Sequence, residues 1–364
     1  MSIFFRLITT IQETLFPALE KELAAPLGEK GELFVSVVEL VRPERFSERF
    51  EWQGLGCPRQ WRLPILLSFI AKAVWNLTTT RALLDRLAHD PTLRRLCGWE
   101  RRAQIPSEST FSRAFAEFAA GELAQQIHEA LVKKGLGEKL IGHVSHDSTA
   151  IAAREKPAPK PAKTETPAKK RGRPQKGQTR RETKRLALQP RRTLQENLAE
   201  LPRRCDRGCK RGSKGTRQFW VGYKLHLSTA DSEIPLGAIL SSASLHDSQA
   251  AVPLLQMTAG RVTSLYDLMD SAYDAPAIHG FSRALGHEPI IDPAGRGKNE
   301  PPPPLAPARV VRYRERTAAE RVNSDLLDNH GGRTVRVRGA VKVLCHLMWG
   351  VLVVTVKGLV RLLE

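Results

Sequence analysis

The chain has 364 residues, 41% of them apolar, which is long enough for two or three domains and too apolar for wholesale disorder. Its formal net charge is +19 and its pI about 10.1, which points to a polyanionic partner. Nucleic acid fits better than a membrane surface, because no apolar face accompanies the charge. Five scattered cysteines exclude a disulfide framework and fit a reducing compartment.

The N-terminal MSIFFRLITTIQETLF carries Arg6 and Glu13 and has no small-residue cleavage site, so it does not fit a signal peptide. Residues 1–135 read as a helical domain for DNA binding or dimerisation. Trp61–Leu77 is a long apolar stretch with Pro64 near its start, where a helix tolerates proline. Thr78–Thr80 supply an N-cap signal before RALLDRLAHD, whose Leu83, Leu84 and Leu87 share a face. Asp90-Pro91 opens a short helix ending near Gly98. Pro106-Ser107 opens another, with Phe111, Phe115, Phe118 and Leu123 on one side and Ser109, Ser112 and Arg113 on the other. Two readings stand here: a helix-turn-helix that meets DNA through residues such as Ser109 and Arg113, or a plain helical bundle.

Within 136–153, the stretch Leu140–Ile151 reads as a first strand over 140–147 that ends on an acid, Asp147. Residues 154–214 form a basic, largely disordered insertion. From Arg154 to Arg217 there are 22 Lys/Arg against 6 Asp/Glu, a net of +16 (22 − 6). Lys156–Gln178 is low-complexity and lacks the apolar surface to fold alone. Inside it, Lys170, Arg171 and Arg173 frame an Arg-Gly-Arg-Pro core that resembles an AT-hook, suited to a narrow minor groove. The alternative is a solvated basic linker that binds phosphate without sequence preference. Cys205-x3-Cys209 has near-ligand spacing, but no second pair follows, so zinc is not expected.

Residues 215–364 return to strand patterning. Phe219–Thr229 alternates and, with Ile234–Ala243 across the turn Asp231–Glu233, predicts an antiparallel hairpin. A short helix follows over Ser248–Met257. Val262–Asp270 is then an apolar run ending on an acid, and Glu288–Asp292 is another strand. A helix is expected from about Arg314 to Asp328, stopped by Asn329–Gly332, then a short strand TVRVRG. Val343–Val356 is apolar for about 14 residues, short of the roughly 20 needed to span a bilayer, so a buried helix and no membrane partner are expected.

Asp147 and Asp270 are two acids delivered by strands. The helix from Arg314 can supply a third, and Tyr313, Arg316, Glu320 and Leu327 share one helical face. Three carboxylates can hold two Mg²⁺ ions for phosphodiester chemistry, and the order of elements is that of an RNase H-like α/β fold, a mixed sheet with flanking helices. Taken in order, DSTAI from Asp147, GYKLH from Gly222, DSAYD from Asp270 and YRERTAAERVNSDLLDNHGG from Tyr313 resemble the bacterial insertion-sequence DDE transposases with a Tyr-x2-Arg-x3-Glu-x6-Lys signature. The N-terminal RALLDRLAHDPTLRRLCGW and PSESTFSRAF resemble the helical domain of that group.

The resemblance implies a metal-binding catalytic triad of Asp147, Asp270 and Glu320. It implies Mg²⁺, with Mn²⁺ as a substitute, and double-stranded DNA, both transposon ends and target, as partner. Tyr313 and Arg316 would meet end phosphates or a flipped base, with Arg321 nearby. Asp274 would support the strand end, and Asp267 would be an ordinary strand residue. A homodimer on paired ends and a cytoplasmic, nucleoid-associated location are the corresponding expectations. The chain departs from the signature at Leu327, where the group has Lys. Two rival functions are an RNase H-like nuclease without strand transfer and a catalytically inactive DNA-binding relative.

Overall fold

The computed structural model describes residues 27–50, 54, 59–159, 184–211, 215–294 and 303–363. Lys170, Arg171 and Arg173, with the AT-hook-like core, lie outside the described residues, as does the apolar N-terminal stretch.

Helices come first: α1 (Glu29–Val41), α2 (Arg62–Val74), α3 (Thr80–His89), α4 (Pro91–Leu96), α5 (Glu108–Ala120) and α6 (Leu123–Leu136). Local chemistry sets their starts. Thr79 Oγ1 accepts from the Ala82 amide at 3.0 Å, opening α3. Asp90 Oδ1 accepts from the Leu93 amide at 3.0 Å, with Pro91 in the first turn of α4. Each such cap stabilises its helix by about 1 kcal/mol. Phe69 of α2 meets Phe111, Phe115 and Phe118 of α5, with ring centroids 5.8, 5.0 and 6.4 Å apart. Leu123 belongs to α6 rather than to the face of α5, because Gly121 ends α5 and Glu122 turns left-handed at φ 51°.

The sheet follows: β1 (Leu140–Ala152), β2 (Asp206–Arg211), β3 (Arg217–Ala230), β4 (Pro235–Ser242), β5 (Thr263–Met269) and β6 (Glu288–Ile291). The order is β2-β3-β1-β5-β6, with β4 also pairing β3. β1, β5 and β6 are parallel, β3 runs antiparallel to β1, and β4 antiparallel to β3. Without β2, which comes from the insertion, the path β4-β3-β1-β5-β6 has the order and direction expected of an RNase H-like sheet. Gly222, at φ 153°, faces Asp206 in β2 and Ala152 in β1 where β3 passes from one partner to the next. A Cβ there would lie 2.1 Å from the Ile151 carbonyl oxygen, so the glycine of GYKLH is required by close approach.

Flanking helices are α7 (Leu194–Glu200), α8 (Ser248–Ala259), α9 (Pro276–Ala284), α10 (Pro307–Tyr313), α11 (Thr317–Asn329) and α12 (Ala340–Arg361). α8 packs on β3 and β4, and α11 on β1 and β3. α12 packs on β4 and on α1, α2, α5 and α6, joining the sheet and the N-terminal helices in one core. Its 22 residues make it longer than its apolar run and long enough to cross a membrane, yet 83% of its apolar window is buried inside the fold, as a core helix is.

Four elements differ from expectation. Residues 184–211, expected within a largely disordered insertion, carry α7 and β2, and β2 pairs with β3 in the sheet. β1 does not end at Asp147 but runs on to Ala152, because β3 continues to pair with it there. The helix expected from Arg314 is split, with a 3₁₀ turn over Arg314–Arg316 between α10 and α11. TVRVRG forms no strand. Val335 is buried and Arg336 and Arg338 are exposed, so it alternates like a strand, but it has no pairing partner in the sheet order.

Candidate active site

The parallel pairing of β1 with β5 closes at His146 opposite Met269. One register further stand Asp147 and Asp270, side by side on neighbouring strands. Asp147 remains in β1, whereas β5 has ended and Asp270 caps a 3₁₀ turn, its Oδ1 accepting from the Ala272 amide at 2.9 Å. Burial pushes both carboxyls above the usual range. The negative charge of Asp270 adds to the rise at Asp147, and that of Asp247 adds to the rise at Asp270. Arg316 opposes the rise at both.

α11 closes over this pair. Asn323 Nδ2 donates to Asp147 Oδ2 at 3.0 Å. Arg316 Nη1 lies 3.9 Å from Asp147 Oδ1, and the same guanidinium pairs with Glu320 one turn on. Glu320 is 55% exposed, and its carboxylate is held on Arg316 rather than on the two aspartates. Tyr313 sits beside them, with the Arg316 guanidinium 5.8 Å from its ring centroid. Burial, with Asp292 and Asp270 nearby, pushes the Tyr313 phenol up to about 12 against the opposing charge of Arg316. The structure therefore brings Asp147 and Asp270 together and keeps Glu320 off them. Among the described residues no three His, Cys, Asp or Glu side chains gather closely enough to hold a metal ion.

The donors that do converge suit a hard divalent cation. Asp147 and Asp270 offer oxygens only, and Asn323 Oδ1 beside them is buried with no hydrogen-bond partner. An orphaned buried acceptor costs about 1–3 kcal/mol unless something satisfies it. Sequence reading missed Asn323, although it lies three residues after Glu320, within reach of the same helical face.

Two further networks flank the acids. Lys224 Nζ donates to Asp247 Oδ1 and to the Leu245 carbonyl, both at 2.8 Å. Beneath the strands, Asp267 is 1% exposed. It accepts from His146 Nε2 at 3.1 Å, Ser282 Oγ at 2.5 Å and His287 Nδ1 at 3.0 Å. Asp267 is thus a buried hub and not an ordinary strand residue. His146 directly precedes Asp147, so this hub ties β1 to β5 where the acids emerge. Asp274 accepts from His279 Nε2 at 3.0 Å and from the Ala294 amide at 2.9 Å, bracing the loop after Asp270.

The other candidates lie further out. Arg321 pairs with Glu233 in the β3–β4 turn. Ser109 and Arg113 are exposed on α5, Ser109 against Ser107 and Arg113 against Thr110. Leu327 is partly buried against the core, so the signature's Lys position is used here for packing. Cys205 is buried and Cys209 exposed, and neither joins a metal cluster among the described residues.

Residues 138–356 match the family of transposase DDE domains, and residues 26–117 match the transposase domain of the DUF772 family. No curated protein and no solved structure matches the chain. The first match spans more than half of the sequence and contains both aspartates, the sheet and α11. Members of this family act on DNA and generally use divalent metals. The chain belongs to the DDE transposases of insertion sequences, with an RNase H-like catalytic fold.

Proposed function

We propose that this transposase cuts phosphodiesters at the ends of its insertion sequence and joins the freed 3′-OH to target DNA. The observation that carries the reading is the meeting of Asp147 and Asp270 one register beyond the last paired residues of two parallel strands. Asp147, Asp270 and Glu320 are the residues that would hold the divalent ions, Mg²⁺ with Mn²⁺ as a substitute. When bound, such ions activate a water or a 3′-OH and stabilise the leaving oxygen.

The chain's own groups position the DNA. Arg316 is the cation in contact with the acids, and its fork suits two phosphate oxygens. As DNA enters, Arg316 passes from Glu320 to a phosphate, which releases Glu320 to the site. The Tyr313 phenol stays protonated at neutral pH and donates to a phosphate oxygen. The Asn323 amide fixes the rotamer of Asp147. Arg321, Ser109 and Arg113 meet the DNA backbone further out, and a homodimer holds the two ends together.

The test uses the full-length protein with a plasmid carrying the element's own flanking DNA. Wild type gives cut and joined products with Mg²⁺ or Mn²⁺, whereas Asp270→Asn gives neither and still retards the DNA on a gel. Full cutting by Asp270→Asn overturns the acid-pair assignment. Cutting without joined products restricts the activity to a nuclease, and retardation without cutting by wild type leaves an inactive DNA-binding relative.

A further inference from the structure

A cavity of about 690 Å³ lies away from the acid pair, between the N-terminal helices and the segment leading into α12. Its volume is within the usual range for a ligand site, roughly 300–1,000 Å³. Phe69, Phe115 and Trp349 wall it, and Lys72 of α2 projects among them. Lys72 is 8% exposed and has no hydrogen-bond or ion-pair partner among the described residues. An ammonium open only to this cavity and without a counter-charge is costly to keep. His346, close enough for its own pKa to be lowered by Lys72, donates from Nε2 to the Gly331 carbonyl at 3.0 Å and offers no negative charge.

The rim repeats the imbalance. Arg154, Arg336, Arg338 and Lys342 line it, and all four are exposed without an ion-pair partner among the described residues. The one carboxylate in the lining, Glu108, is occupied by Arg81 at 3.4 Å. The failed strand TVRVRG thereby gains a role, because its alternation turns Arg336 and Arg338 toward this space.

We infer that the cavity is a second phosphate-binding site, taking a phosphodiester of the DNA strand whose reacting phosphate lies at Asp147 and Asp270. The inference rests on the reading of DNA as the substrate. Two elements connect the sites. α11 carries Asn323 at the acids, and His330, just beyond its C-terminus, lines the cavity. Those seven residues correspond to about 10 Å of helix. β1 carries Asp147, and Arg154 follows its end, about 23 Å along an extended chain. At about 3.4 Å per nucleotide, the captured phosphate lies roughly three to seven nucleotides from the reacting one. The open, basic rim suits a strand passing through better than a free nucleotide enclosed on all sides.

The test reads Lys72 directly. Full-length protein is acetylated at pH 8 with an N-hydroxysuccinimide ester, alone, with duplex DNA, and with ATP, and modification of Lys72 is quantified by peptide mass spectrometry. The expected result is rapid acetylation alone, strong protection by duplex, and little protection by ATP. Lys72→Met, near-isosteric and uncharged, should bind duplex more weakly, with a salt slope shallower by about 0.9, the value for one phosphate no longer neutralised. Arg336→Gln with Arg338→Gln, both exposed, should flatten the slope further without unfolding the chain. Equal acetylation with and without saturating duplex overturns the inference, and so does protection by ATP but not by duplex. Running the assay in Asp270→Asn separates the two readings: duplex protection there supports the phosphate site even if neither protein cuts DNA.

Discussion

Replacing Asp267 by Ala removes the group on which three buried partners converge. Its carboxylate accepts from His146 at 3.1 Å, Ser282 at 2.5 Å and His287 at 3.0 Å, and it is 1% exposed, so bulk water does not reach these partners. A hydrogen bond to a charged group contributes about 1.5–3 kcal/mol, but three bonds to one carboxylate do not add. Breaking a buried ionic network costs about 3–5 kcal/mol, and that is the expected loss. It should appear as a lower urea midpoint with an unchanged slope. Asp274→Ala, which removes a carboxylate 31% exposed, is the control and should lose much less. The pH dependence carries the sign. Hydrogen bonds and charge from His146 and His287 outweigh burial and hold Asp267 below the usual carboxylate range. Its contribution is therefore complete above the unfolded value of about 3.9 and is lost as pH falls below it. The gap between wild type and Asp267→Ala should narrow below about pH 4. A loss under about 1 kcal/mol at pH 7, or a gap that stays constant into acid, refutes the hub.

Three other outcomes follow from the same structure. Lys72→Met should stabilise the DNA-free protein by about 3 kcal/mol at pH 7, since burial lowers the Lys72 pKa from 10.5 to about 8. The unfolded chain holds this proton more tightly, so wild-type stability rises between about pH 8 and pH 10.5 and the advantage of the variant should disappear there; equal urea midpoints at pH 7 would rule out a costly buried charge at Lys72. Arg316→Gln should lower the melting temperature without divalent ions and enlarge the shift produced by Mg²⁺, because Asp147 and Glu320 lose their bound cation; identical Mg²⁺ shifts in the two proteins would count against that role. Replacing residues 160–183, with nine Lys/Arg against two Glu, by a neutral Gly/Ser segment should make the salt dependence of DNA binding several units shallower, and an unchanged slope would deny the segment any contact with DNA.

Much of the fold was legible where the determinants are local. Thr79 and Asp90 cap their helices through their own side chains, and the apolar runs before Asp147 and Asp270 became neighbouring strands. What could not be read depends on partners far along the chain. Asp147 looked like a strand end because its apolar run stops there, but β3, some 80 residues later, keeps β1 extended to Ala152. Asp267 looked ordinary because one acid in an apolar run has no signature; its partner His146 is 121 residues away. TVRVRG had the alternation of a strand without a neighbour to pair with. The shared face of Tyr313, Arg316 and Glu320 was visible in the spacing, whereas periodicity alone cannot decide whether Glu320 turns to the aspartates or to Arg316.

That choice bears on how the site guards its own charge. Two aspartates, raised by burial and by neighbouring carboxylates, repel each other unless a cation stands near, and without DNA the cation in contact is Arg316. The same arginine engages the third acid one turn away, so one side chain both offsets the site's charge, with Lys210 further off, and keeps Glu320 from it. α11 can support such an exchange because its far face is fixed: Ala318, Ala319, Val322 and Leu326 are buried, and the helix does not need to move for a guanidinium to swing. Gly350 of α12 lets that packing close, since a Cβ there would lie 2.4 Å from the His330 carbonyl oxygen just beyond α11. A rigid helix with the acids at one end and the Lys72 cavity beyond the other holds both points at a set spacing. Capture of a DNA strand at the two points would then align the reacting phosphate without reshaping the protein, which is the advantage of building a reaction site on fixed elements.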